Sequence, residues 1–65
     1  MQLYELRTKQ KLTQAELSKI SGVPQSKISE YEKGKVEPGI GAAQKLAIAL
    51  GVTLDELVAN NQKAV

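Results

Sequence analysis

The chain has no cysteine, histidine, tryptophan or phenylalanine, and only two prolines and two tyrosines among its 65 residues. Without cysteine there is no disulfide framework, and without cysteine or histidine none of the ordinary structural zinc sites. No metal and no other cofactor is expected. Nucleophilic cysteine chemistry and histidine acid–base catalysis leave with the same residues, and so short a chain has little room for a substrate cleft. These absences point to a binding module rather than an enzyme. The longest apolar-rich stretch, 40–50, is interrupted by Gln44 and Lys45 and falls far short of the roughly 20 residues that span a bilayer. The opening Met1-Gln2-Leu3-Tyr4-Glu5 lacks the basic-then-apolar layout of a signal peptide. No membrane association is expected, and the expected location is the cytoplasm.

What is present must therefore hold itself together by packing. A chain of this size buries only about 60% of the surface that its unfolded form exposes. With no staple, it needs tight helix packing, self-association, or both. One domain is expected over 1–65, with its core over about 2–59 and a polar tail at 60–65.

The formal charge is only +2, but it is unevenly spread. Up to Lys35 there are seven basic residues against four acidic ones, a net +3; from Val36 onward two oppose three, a net −1. A basic half beside a slightly acidic half suggests that the first meets a polyanion and the second meets something else.

Local punctuation marks out five short helices. Thr13-Gln14-Ala15-Glu16 and Thr53-Leu54-Asp55-Glu56 are capping boxes, in which the Thr hydroxyl and the Glu carboxylate each satisfy the other residue's amide. Gly22-Val23 and Gly51-Val52 suit helices that end on a left-handed glycine followed by an apolar contact. Pro24 fits a first helical position, and Gly34, Pro38, Gly39 and Gly41 interrupt the chain. Between these marks apolar residues recur at helical spacing: Leu3 with Leu6, Leu17 with Ile20, Ile28 with Tyr31, then Ala43, Leu46, Ala47 and Leu50, and Leu54, Leu57 and Val58. The spacing predicts helices over 2–11, 14–21, 24–33, 40–50 and 54–60, and no strand. The expected fold is an all-α compact bundle.

The second and third of these helices, joined through Gly22 and Val23, have the spacing of a helix-turn-helix. The third helix places Ile28 and Tyr31 inward, and Gln25, Ser26, Lys27, Ser29 and Glu30 outward. Gln pairs with adenine, Ser with several base edges, and Glu accepts from the cytosine amino group. Lys27, Lys33 and Lys35 flank these residues as candidate phosphate partners, with Ser29 beside them. Base-reading side chains inside a phosphate-binding rim are what duplex recognition requires. Two tyrosines do not make the stacking platform that single-stranded nucleic acid normally needs. Lys9, Lys11, Lys19, Lys45 and Lys63 read as solubilising, with Lys9 and Lys11 near enough to touch a duplex edge.

The stretch Thr13-Gln14-Ala15-Glu16-Leu17, Gly22-Val23-Pro24-Gln25-Ser26-Lys27-Ile28-Ser29 and Tyr31-Glu32-Lys33-Gly34-Lys35 resembles the phage-repressor helix-turn-helix family, of the Cro-like or xenobiotic-response-element type. The resemblance extends upstream through Leu3, Leu6 and Arg7, and downstream through Leu46-Ala47-Ile48-Ala49-Leu50-Gly51-Val52 and Leu54-Asp55-Glu56-Leu57. It implies that Gln14 contacts phosphate and buttresses the reading helix, and that Gln25, Ser26 and Glu30 read bases. It further implies that the loop carrying Lys33 and Lys35 grips the backbone through side chains and amides, and that Arg7 and Glu32 form a partly buried ion pair. Three positions depart from the family pattern: Pro24 stands where a Ser or Thr cap is frequent, Ser18 where Ala is common, and Glu30 where Gln or Arg is frequent.

One such domain reads about four to five base pairs, too few for specificity in a genome. The expected answer is a homodimer that places two recognition helices in successive major grooves of a palindromic operator. The more neutral second half offers the pairing surface, around Ile48, Val52, Leu54 and Val58. The expected function is sequence-specific double-stranded DNA binding by a transcriptional repressor, with no small-molecule effector bound by this chain. The rival expectation is a protein-interaction module such as an antitoxin, which binds a partner protein as well as, or instead of, DNA.

Overall fold

The computed structural model describes residues 1–59. It consists of five helices, α1 (Leu3–Lys9), α2 (Gln14–Ser21), α3 (Gln25–Lys33), α4 (Ile40–Leu50) and α5 (Leu54–Val58), with no strand among the described residues. None of these helices is long and apolar enough to cross a membrane. The expected helix at 54–60 ends at Val58, and the polar tail at 60–65 lies outside the described residues.

Both capping boxes are formed. Thr13 Oγ1 accepts from the Glu16 amide at 3.0 Å, and Glu16 Oε1 accepts from the Thr13 amide at 2.8 Å. Thr53 and Glu56 repeat the arrangement, with both bonds at 3.0 Å. These starts satisfy amides that a helix leaves without internal partners, so even the five-residue α5 has a defined first turn.

The core is assembled from all five helices and the α2–α3 turn. Leu3, Leu17, Val23, Ile28, Ala43, Leu46, Ala47, Leu50 and Leu57 are buried, and no polar side chain is buried with them. The central element is α4, which contributes four of these residues and packs on both α2 and α5. Its two buried alanines, Ala43 and Ala47, are small enough for close packing, and Leu46 between them in sequence is fully buried. Across the bundle, α1 packs on α3 and α5, and the Gln2 amide donates to the Leu57 carbonyl at 2.9 Å. That bond ties the first described residues to the last helix.

Three expectations change. The first helix ends at Lys9 rather than residue 11, because the chain turns through a left-handed Lys11. Pro24 precedes α3 instead of occupying its first position: its ψ is 141°, and its carbonyl accepts from Lys27 and Ile28. Ile20 is 55% exposed, and Val23 of the turn, not Ile20, joins Leu17 in the core. Helical spacing correctly places Ile20 near the Leu17 face, but α2 is too short to bury that whole face against its neighbours.

Candidate nucleic-acid interface

The α2–α3 turn is held by its own polar atoms. The Gly22 amide donates to the Ser18 carbonyl at 2.8 Å. The Ser18 hydroxyl donates to the Val23 carbonyl at 2.7 Å, and the Ser21 hydroxyl accepts from the Val23 amide at 3.1 Å. With Val23 seated in the core, α3 leaves the turn at a fixed angle. Ser18 is therefore more than a small residue in place of Ala, because its hydroxyl closes the turn. Size alone does not predict that role; a hydroxyl at a helix end, one turn before an irregular segment, is the available signal.

Ile28 faces inward and is fully buried, while Gln25, Ser26 and Lys27 are exposed and Ser29 and Glu30 half-buried. The outward residues named by periodicity thus share one accessible face of α3. Lys27 Nζ lies 3.7 Å from Glu30 Oε1, with both side chains substantially exposed. Such a pair contributes little to stability, at most about 1 kcal/mol. It does keep a cation beside the one carboxylate on this face.

Behind this face a polar clamp fixes the helix. Arg7 Nε and Nη2 meet Glu32 Oε2 and Oε1 at 2.6 and 3.0 Å, and Nη1 donates to the Leu12 carbonyl at 2.7 Å. Gln14 Nε2 donates to the same Glu32 Oε1 at 3.0 Å. The side chains of Arg7 and Glu32 retain only 11% and 6% of their exposure, and bidentate charge-assisted bonds are the strong kind. Hydrogen bonding from Glu32 raises the Arg7 pKa above its ordinary value, against the opposing effect of burial. One carboxylate on α3 therefore gathers α1 and the start of α2, and Arg7 adds the α1–α2 turn. Gln14 is committed to this buttress through one amide hydrogen, which leaves its second hydrogen to donate elsewhere.

The loop after α3 uses two of its amides within the fold. The Gly34 amide donates to Tyr31 at 3.1 Å and the Lys35 amide to Glu30 at 3.0 Å. Those two amides close the helix. The side chains of Lys33 and Lys35 are exposed.

The four residues expected to pair two copies divide into two groups. Ile48 and Val58 are 79% and 49% exposed, whereas Val52 and Leu54 pack against the core and have less surface to give. Sequence reasoning missed Val36 and Ile40, which are also exposed. A depression of about 220 Å³ is lined by Met1, Tyr31, Val36, Pro38 and Val58 among others. Val36 belongs to no helical face, so periodicity carries no signal for it.

A family model described as a helix-turn-helix matches residues 3–57, the whole span from the start of α1 to the core leucine of α5. The chain belongs to the Cro/C1-type helix-turn-helix family. It is a DNA-binding domain of the kind found in transcriptional regulators. One similar protein, the "Uncharacterized HTH-type transcriptional regulator y4dL" of Sinorhizobium fredii, is 45% identical over 53 residues, covering 82% of this chain and 27% of its own. The "HTH-type transcriptional regulator PuuR" of Escherichia coli is 38% identical over 61 residues, covering 94% of this chain and 33% of its own. The Shigella flexneri protein of the same name matches equally. The chain thus spans about a quarter to a third of the length of these relatives. No solved structure matches significantly.

Proposed function

We propose that the chain is the sequence-reading part of a transcriptional repressor, which occupies a palindromic operator as a homodimer. In this reading α3 enters the major groove. Gln25, Ser26 and Glu30 read base edges, while Gln14, Lys27, Ser29, Lys33 and Lys35 meet phosphates. The observation that carries it is the pairing of an exposed polar face on α3 with a clamp, centred on Glu32, that fixes the pose of that helix. Recognition in a groove needs side chains held in register before contact, because each ordered side chain otherwise costs free energy on binding. The clamp supplies that order.

A dimer is supported by the exposed apolar side chains of Ile48 and Val58, joined by Val36 and Ile40. Repression then follows from steric occupancy of the operator, in the cytoplasm. The same apolar residues also favour a second reading, in which the partner is another protein, as for an antitoxin. In vitro selection of bound duplexes separates the two. The repressor reading expects enrichment of two inverted half-sites about one helical turn apart; enrichment of no duplex sequence contradicts it and leaves the protein-partner reading.

A further inference from the structure

Lys11 is the only non-glycine residue with a positive φ among the described residues, at +61°. Its setting is a helix ending that the bundle uses three times. After α1, the Lys11 amide donates to Thr8 at 2.9 Å and the Leu12 amide to Arg7 at 3.1 Å. After α3, Gly34 donates to Tyr31 and Lys35 to Glu30; after α4, Gly51 donates to Ile48 and Val52 to Ala47, all at 3.0–3.1 Å. This double closure places one residue in the left-handed region, usually glycine. Gly34 and Gly51 adopt it at +77° and +72° without steric cost. A lysine there sets its Cβ against its own carbonyl. The closure uses only backbone atoms, so the fold has no need of the lysine side chain at that point.

Nor does the local electrostatic setting explain it. Lys11 is exposed, and neither ion pair among the described residues includes it. The nearby Glu16 carboxylate is bonded to the Thr13 amide. A cation following α1 is favoured by that helix's dipole, but the same residue stands just before Thr13, where the start of α2 disfavours a cation. The position itself is rigid. Arg7 holds the Leu12 carbonyl at 2.7 Å and is bidentate on Glu32 of α3, so the turn is anchored to the reading helix. Lys11 also lies only three residues before Gln14 in the chain.

We propose that Lys11 is a DNA-phosphate contact, retained in a strained backbone position because its charge serves binding, so that the interface extends from α3 across the α1–α2 turn. This rests on the DNA-binding reading above. Non-glycine residues held in the left-handed region concentrate at functional sites, and here the strain is paired with a cation that the fold does not use.

The test compares Lys11→Gly and Lys11→Arg with the unaltered chain, by thermal unfolding and by titration of a selected duplex across salt concentrations. Lys11→Gly is expected to raise Tm by roughly 4 °C while weakening all duplexes about equally and flattening the log–log salt slope by about one. Lys11→Arg is expected to restore affinity and slope with no gain in Tm. If Lys11→Gly binds with the affinity and slope of a wild type that itself binds, the assignment is overturned alone. A lower Tm for Lys11→Gly also overturns it, since the side chain would then serve the fold. If the unaltered chain binds no duplex, the DNA-binding reading falls and takes this assignment with it.

Discussion

The two halves of the bundle are held by different physics. From α1 to α3 the decisive contacts are polar and directional: the Thr13 box, the Ser18 and Ser21 bonds across the turn, and the Arg7–Glu32–Gln14 clamp. From α4 to α5 the contacts are apolar, with Ala43, Leu46, Ala47, Leu50 and Leu57 all buried. Apolar packing is non-directional and decides whether the chain collapses; bidentate hydrogen bonds specify where an element sits. The half that contains the helix-turn-helix carries the directional contacts between elements. In the α4–α5 half such contacts are local to a helix end, as in the Thr53–Glu56 box, and packing sets how the two helices meet.

Substitutions in each half separate these roles. Leu46→Ala removes a fully buried side chain from the central helix, and such truncations cost about 2–5 kcal/mol. A domain of this size has roughly 3–10 kcal/mol in total, so circular dichroism and urea unfolding are expected to show a protein largely unfolded near 37 °C. Unchanged stability would mean that α4 is not the core's axis. Glu32→Gln leaves the nearly buried Arg7 guanidinium without its counter-charge. The expected loss is about 2–3 kcal/mol, below the roughly 3–5 for a fully buried pair. The halves then differ in a measurable way: Glu32→Gln is expected to weaken duplex binding even at temperatures where the variant is fully folded, because α3 loses its fixed pose. A variant that is folded and binds normally would reduce the clamp to a stabilising contact.

How much of this was legible in the sequence follows the same division. Helix starts at Thr13 and Thr53 and ends at Gly22, Gly34 and Gly51 are encoded by residues within a few positions of each other, so local chemistry reveals them. The core leucines follow from period. Ile20 and Val23 exchange places because burial depends on where a neighbouring helix ends, which no local pattern contains. The partnership of Arg7 and Glu32 spans 25 residues and was reached only through the family resemblance. The sequence reads Lys11 as solubilising and near enough to touch a duplex edge, but its left-handed backbone is not legible there, since it is imposed by the closure of α1 and is normally signalled by a glycine.

The outward face of α3 is where the account is most exposed to contradiction. The direct measurement is a comparison of Gln25→Ala with Lys35→Ala on a selected duplex and on its single-base variants. Both residues are exposed, so neither change should disturb the fold. Gln25→Ala is expected to cost roughly 1–3 kcal/mol on the preferred site and to relax specificity at one position of each half-site. Lys35→Ala is expected to weaken every duplex alike and flatten the salt slope by about one unit. If Gln25→Ala leaves both affinity and sequence preference unchanged, α3 is not the reading helix in the manner described.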